Sequence, residues 1–164
     1  MKLFLNEGGE KMNQKAEVFP RILAFMIDSL IAWVPVFIPF LGAIFGSLYL
    51  LFKDGLMYQI TKKDEWKNKS IGKKLINIEI ISLDEQVIDL SISAKRNLPL
   101  TIGNFIAIIP VIGWVIGPIL ALVLALVELI IFLTDEDGRR LGDKWANTKV
   151  IKLKSTDLEE KIIT

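Results

Sequence analysis

Cysteine and histidine are both absent from this chain of 164 residues. Without cysteine there can be no disulfide, thiolate metal site or cysteine nucleophile. Without histidine the chain lacks the commonest general base and the commonest metal ligand. Charge is also missing from two long tracts, Ser29 to Phe52 and Asn97 to Val127. A water-soluble fold spreads charge over its whole surface, so tracts of this length point to lipid instead. No Gly-x-x-x-x-Gly-Lys-Ser/Thr phosphate loop is present, and no histidine-based triad can be assembled. The expectation is therefore a protein that is not an enzyme, holds no cofactor or metal and binds no nucleic acid.

What is present is apolar. Hydrophobic residues make up 52% of the chain, and the net charge is only +1. The mean hydropathy is +0.46. The first apolar block runs from Ile22 to Phe52, broken only by Asp28, and the second from Leu98 to Leu133, broken only by Glu128. A spanning helix needs about 20 residues, so each block is long for one helix and short for two. Pro35, Pro39 and Gly42 interrupt the first block; Pro110, Gly113, Gly117 and Pro118 interrupt the second. Helices kink or stop at such residues.

Charge placement favours the hairpin reading. All 20 lysines and arginines lie up to Arg21, between Lys53 and Arg96, or from Arg139 onward. Under the positive-inside rule these three stretches share the cytoplasmic side, which requires an even number of crossings. Two kinked single spans would place the middle stretch outside. The expected architecture is an all-α membrane protein with four transmembrane helices, arranged as two tandem hairpins over about 19–60 and 95–134. The cytoplasmic loop is then 61–94, within a membrane domain of 19–154. Residues 1–18 form a cytoplasmic N-terminus and 155–164 a flexible tail, so both termini face the cytoplasm of a plasma membrane.

A small cytoplasmic β element is expected as well. Asn77–Leu83 and Gln86–Ile92 are β-rich, with Asp84 and Glu85 at a turn, and 147–154 supplies a third segment. Isolated hairpins are weak, so these strands should pair with one another.

The halves repeat in the same direction. Arg21 and Arg96 precede their blocks by similar margins, IAWVPV (Ile31–Val36) matches IAIIPV (Ile106–Val111), and Gly42 matches Gly117 at the same offset. IGKKLINIEII (Ile71–Ile81) aligns with LGDKWANTKVI (Leu141–Ile151), sharing Gly, Lys, Asn and Ile. Parallel repeats about an axis along the membrane normal occur in transporters. The halves differ in their carboxylates: Gly103 fills the slot of Asp28, and Asp143 that of Lys73.

Three segments together resemble the RDD family of prokaryotic membrane proteins. They are FPRILAFMIDSLI; SIGKKLINIEIISLDEQVIDLS followed by KRN; and RRLGDKWANTKVI. The resemblance runs from about Phe19 to Ile151. The arginine and two aspartates that name the family match Arg21, Asp28 and Asp143, while Gly142 stands where the family often carries a histidine. The resemblance implies a transport role, including cation/proton antiport in some members.

Ionisable side chains within a span are costly and mark candidate sites. Arg21, Ala24, Asp28 and Ala32 share one helix face. Glu128 lies at a depth similar to that of Asp28, so the pair could share a proton or hold a small cation, or either could pair with Arg21 or Arg96. Structurally, the same charges could simply lock helices together. Arg21, Asp28 and Glu128 are therefore the intramembrane transport candidates, and Arg96 and Asp143 the anchors of the cytoplasmic mouth, where Asp143 could also cap a short helix. Lys73, Lys74, Arg139 and Arg140 are expected to meet anionic lipid headgroups. The four tryptophans, Trp33, Trp66, Trp114 and Trp145, are expected at the interfaces. The leading function is transport of a small cation or a proton-coupled solute by a homo-oligomer in the bilayer. The competing reading is a non-transporting scaffold or partner-binding subunit.

Overall fold

The computed structural model describes residues 17–37 and 41–153. The expectations for the N-terminus up to residue 16, for Pro39 and for the tail 155–164 lie outside these residues.

The chain runs α1 (Val18–Trp33), α2 (Leu41–Thr61), α3 (Ile71–Leu75), β1 (Ile78–Ser82), α4 (Leu90–Ala107), α5 (Ile112–Thr134), α6 (Leu141–Trp145) and β2 (Thr148–Lys152). Each half is therefore two long helices, a short helix and a strand. A 3₁₀ turn over Val34–Phe37 ends the first helix at Pro35. In the second half the turn falls at Pro110, and Val111 sits at φ 65°. Pro118 lies inside α5 and Gly42 inside α2, so these residues bend or pack helices but do not end them.

The duplication reaches the backbone. In α3 and α6 the Lys74 and Lys144 amides donate to Ser70 O and Arg140 O, each at 2.9 Å. Asn77 and Asn147 then take left-handed φ values of 55° and 48°. Asparagine tolerates that region and ends the helix there. β1 and β2 pair antiparallel with Ile80 opposite Val150, its own counterpart in the other half. Leu83 N–H donates to Asn147 O, and Leu153 N–H to Asn77 O. Such mutual pairing is what a two-fold axis through the strand pair produces.

The expected strand over Gln86–Ile92 is not formed. Residues 86–89 are irregular and α4 begins at Leu90, with the Asp89 carboxylate accepting from Ile92 N–H at 2.7 Å. An N-cap outcompetes the alternating pattern here. Ile88 is nonetheless buried, in the small apolar cluster with Ala24, Ile78, Ile80 and Val150.

Burial is inverted relative to a soluble protein. Among the described residues, polar and charged side chains outnumber hydrophobic ones in the interior, whereas large hydrophobics such as Phe19, Leu30, Trp33, Ile112 and Ile130 are exposed. α5 is the one described helix long and apolar enough to cross a membrane, and only 17% of its most apolar window is buried. That exposure is unlike the core helix of a soluble fold. α1 has 16 residues, while α2 and α4 carry Lys53–Asp54 and Lys95–Arg96.

Candidate functional site: a buried charge lattice below a cavity

The short helices tuck against the long ones through glycine. A side chain at Gly72 would overlap the Ala24 carbonyl, and one at Gly142 the Arg96 carbonyl. Their first-turn N–H groups, which have no partner within the helix, need acceptors. Asp28 supplies one: its Oδ1 accepts from Gly72 N–H at 2.8 Å and from the Tyr49 hydroxyl at 3.3 Å. Its Oδ2 accepts from Ser70 Oγ at 2.7 Å and faces Lys53 Nζ at 3.0 Å. In the second half Gly103 offers no carboxylate. Glu128 does the corresponding work from α5, its Oε1 accepting from Gly142 N–H at 3.1 Å. Asp28 and Glu128 thus dock different short helices.

Asp54, which the sequence reading passed over, is the second node. Lys73 Nζ lies 2.6 Å from Oδ1, Asn97 donates to Oδ2 at 2.9 Å and Arg96 Nε is 3.6 Å from the same oxygen. Lys73 is buried within this node, so it does not reach lipid headgroups as expected. Burial pushes its ammonium down to about 8, against the opposing pull of Asp54. The available sequence signals were Lys53–Asp54 closing the first apolar block and the polar face Ser93, Asn97 and Thr101 on α4.

Asp143 is the third node. Arg96 Nη2 donates to Oδ1 at 2.7 Å and Arg21 Nη2 to Oδ2 at 3.1 Å, while Arg140 Nη2 lies 3.5 Å away. Its carboxylate also reaches back to the Arg140 N–H at 3.2 Å, the N3-to-N-cap half of a capping box. Burial alone would push this carboxyl up, but Arg96, Arg140 and Arg21 together hold it below the usual carboxylate range. The anchoring and capping roles therefore coexist. Arg21 also donates to Gly138 O and lies over the Phe132 ring.

The remaining basic candidates are engaged too. Lys74 pairs with Glu65 at 3.0 Å and lies over Trp66. Arg139 Nε donates to Thr148 O at 3.1 Å, tying α5's exit to β2. Arg140 faces Asp143 and is therefore held inward.

Above the lattice lies a cavity of about 210 Å³, where Arg21, Lys53, Lys73, Arg96, Arg140 and Glu128 meet. Arg96 is fully buried, yet its Nε and Nη1 make no hydrogen bond within the protein, and neither does Glu128 Oε2. Among the described residues no group of three or more acidic side chains is placed to cage a metal ion.

The RDD family model matches residues 15–147, while no curated protein and no solved structure matches the chain. The matched span holds all three nodes of the lattice and both short helices, and the chain belongs to the RDD family, a family of membrane-associated proteins.

Proposed function

We propose that this protein crosses the bilayer four times, through α1, α2, α4 and α5, with both termini in the cytoplasm of a plasma membrane. The inverted burial and the exposed α5 support that reading, as do Trp33 and Trp114 lying exposed near the hairpin turns. The charge lattice then sits at the cytoplasmic ends of the spans, where charges can be paired within protein.

The role we propose is proton-coupled movement of a small solute through the cavity. One observation carries it: Glu128 lines the cavity and its Oε2 is buried with no hydrogen-bond partner, while Oε1 remains on Gly142 N–H. Glu128 can therefore take or release a proton without undoing the fold. Asp28 is less suited, because both of its oxygens are occupied. The same saturation makes proton coupling a better fit than direct holding of a small cation. A single unit of this size offers little room for a whole path, so the proposal includes a homo-oligomer.

The test is proton movement in proteoliposomes carrying an internal pH dye, under imposed sodium or potassium gradients. Flux that is present with the unaltered protein and abolished in a folded Glu128→Gln variant is expected. Equal flux in both, or none in either, removes this reading.

A second reading, the membrane scaffold, is favoured by the saturation of Asp28, Asp54 and Asp143. It expects no protein-dependent flux and co-purification of a stoichiometric partner.

A further inference from the structure

The repeat defines two equivalent places where the second helix of one half can meet the first helix of the other. At one of them α2 packs directly on α4. At the other, α5 and α1 face each other across the cavity. The duplicated architecture is closed on one side and open on the other.

The opening has two distinct chemistries. Its floor is cationic, five basic side chains against the single carboxylate of Glu128. All five are tied to the lattice: Lys53 pairs with Asp28, Lys73 with Asp54, and Arg21, Arg96 and Arg140 with Asp143. Arg96, fully buried, has donors to spare beyond that pairing: Nη1 makes no hydrogen bond in the protein, and Nε lies 3.6 Å from Asp54 Oδ2 without a hydrogen bond to it. A buried charged donor of this kind calls for an acceptor, and Arg96 lines the cavity. The walls are apolar, with Ile22 and Phe25 from α1, Leu100 from α4, and Leu129 and Phe132 from α5. Ile22, Phe25 and Leu129 are also exposed on the outer surface, so the apolar wall runs out to where lipid would lie. Roughly 300–1,000 Å³ is usual for a site that engulfs a drug-sized molecule, and this cavity is smaller. It has room for a head group, and anything longer must leave between α1 and α5.

We propose that the cavity between α1 and α5 binds an anionic amphiphile, a phosphate head on an acyl chain. The head sits on Arg96 and Arg140, and the chain passes between Phe25 and Leu129 into the bilayer. Guanidinium groups match phosphate geometrically and electrostatically. Glu128 faces the head and, when protonated, offers its Oε2 as a donor to a phosphate oxygen instead of repelling it. This names a solute class for the transport reading and rests on the same membrane placement, but binding does not require that transport occurs.

The experiment titrates the full-length protein in dodecyl maltoside with dioctanoyl phosphatidic acid, dioctanoyl phosphatidylcholine or inorganic phosphate. Native mass spectrometry and the thermal midpoint are the readouts. One phosphatidic acid per chain is expected, at least about tenfold tighter than phosphatidylcholine or free phosphate. Ala125 of α5 also lines the cavity, so Ala125→Phe fills it without altering charge, and Arg140→Gln removes one head-group contact. Each should weaken phosphatidic acid about tenfold or more. Should Ala125→Phe fail to fold, Arg140→Gln carries the test alone. Equal binding of phosphatidic acid and phosphatidylcholine overturns the proposal, as does undiminished binding in the variants that fold. Inorganic phosphate matching phosphatidic acid overturns the amphiphile and leaves a free-anion site. Binding with no flux in proteoliposomes would retire transport alone.

Discussion

Asp143 shows how a single side chain can hold a membrane-proximal fold together. Three guanidinium groups converge on it from α1, α4 and the entry to α6. Removing it would leave Arg21 and Arg140 without their paired carboxylate and Arg96 with only the longer contact to Asp54, and stripping one partner from a buried pair costs about 3–5 kcal/mol. Asp143→Ala is expected to lower the thermal midpoint in detergent by far more than Lys74→Ala, whose pair with Glu65 lies nearer the surface. Comparable shifts in the two variants would contradict the lattice. Its acid behaviour follows from the same geometry. The Asp143 carboxyl lies below its ordinary value in the folded protein, so its stabilisation is complete above the unfolded pKa of about 4. That stabilisation is lost as pH falls through the folded value. Thermal midpoints measured on descending below about pH 4 should fall more steeply for the unaltered protein than for Asp143→Asn.

At the scale of elements, the short helices α3 and α6 join the polar cap to the long helices. Both carry as their second residue a glycine against a backbone carbonyl, and in both a left-handed asparagine follows two residues after the last helical one. The asparagines permit a direct test. Asn77→Gly should be nearly neutral because glycine adopts its φ of 55° freely, whereas Asn77→Val should cost about 1–2 kcal/mol from the Cβ clash. Chemical-denaturant unfolding in detergent would compare the two, and an equal cost would deny the left-handed cap. Ser70 does two jobs, accepting from Lys73 N–H and donating to Asp28. Ser70→Ala should therefore cost more than the ~1 kcal/mol of an ordinary N-cap loss. A loss well below that figure would mean that Asp28 docks α3 through Gly72 alone.

For the whole molecule, the open prediction is orientation. The chain has no cysteine, so single-cysteine variants label cleanly. Lys62→Cys should react with a membrane-impermeant maleimide only from the cytoplasmic side, and Val111→Cys only from the outside. Val111 is 70% exposed at the second hairpin turn, so access does not limit its labelling. Labelling of both positions from one side would end the four-span reading, and the proton-coupled path with it.

Much of this was legible along the chain. Charge-free tracts, proline-marked turns and the repeated Gly-x-Lys-x-x-Asn are local or periodic features, and they determined the hairpin pattern, the duplicated plan and the family resemblance. The RDD family match and the repeated backbone agree with them. The strand over Gln86–Ile92 was misread because alternation says nothing of a competing cap at Asp89. Only the tertiary structure decided which charge meets which. Asp28 and Arg21 share a helix face, yet they face different partners, Lys53 and Asp143. Ion pairing depends on distances between elements far apart in the chain, and no periodicity within one helix contains those distances. The cavity between α1 and α5 arose in the same way, from how two similar halves were packed and not from any residue in either.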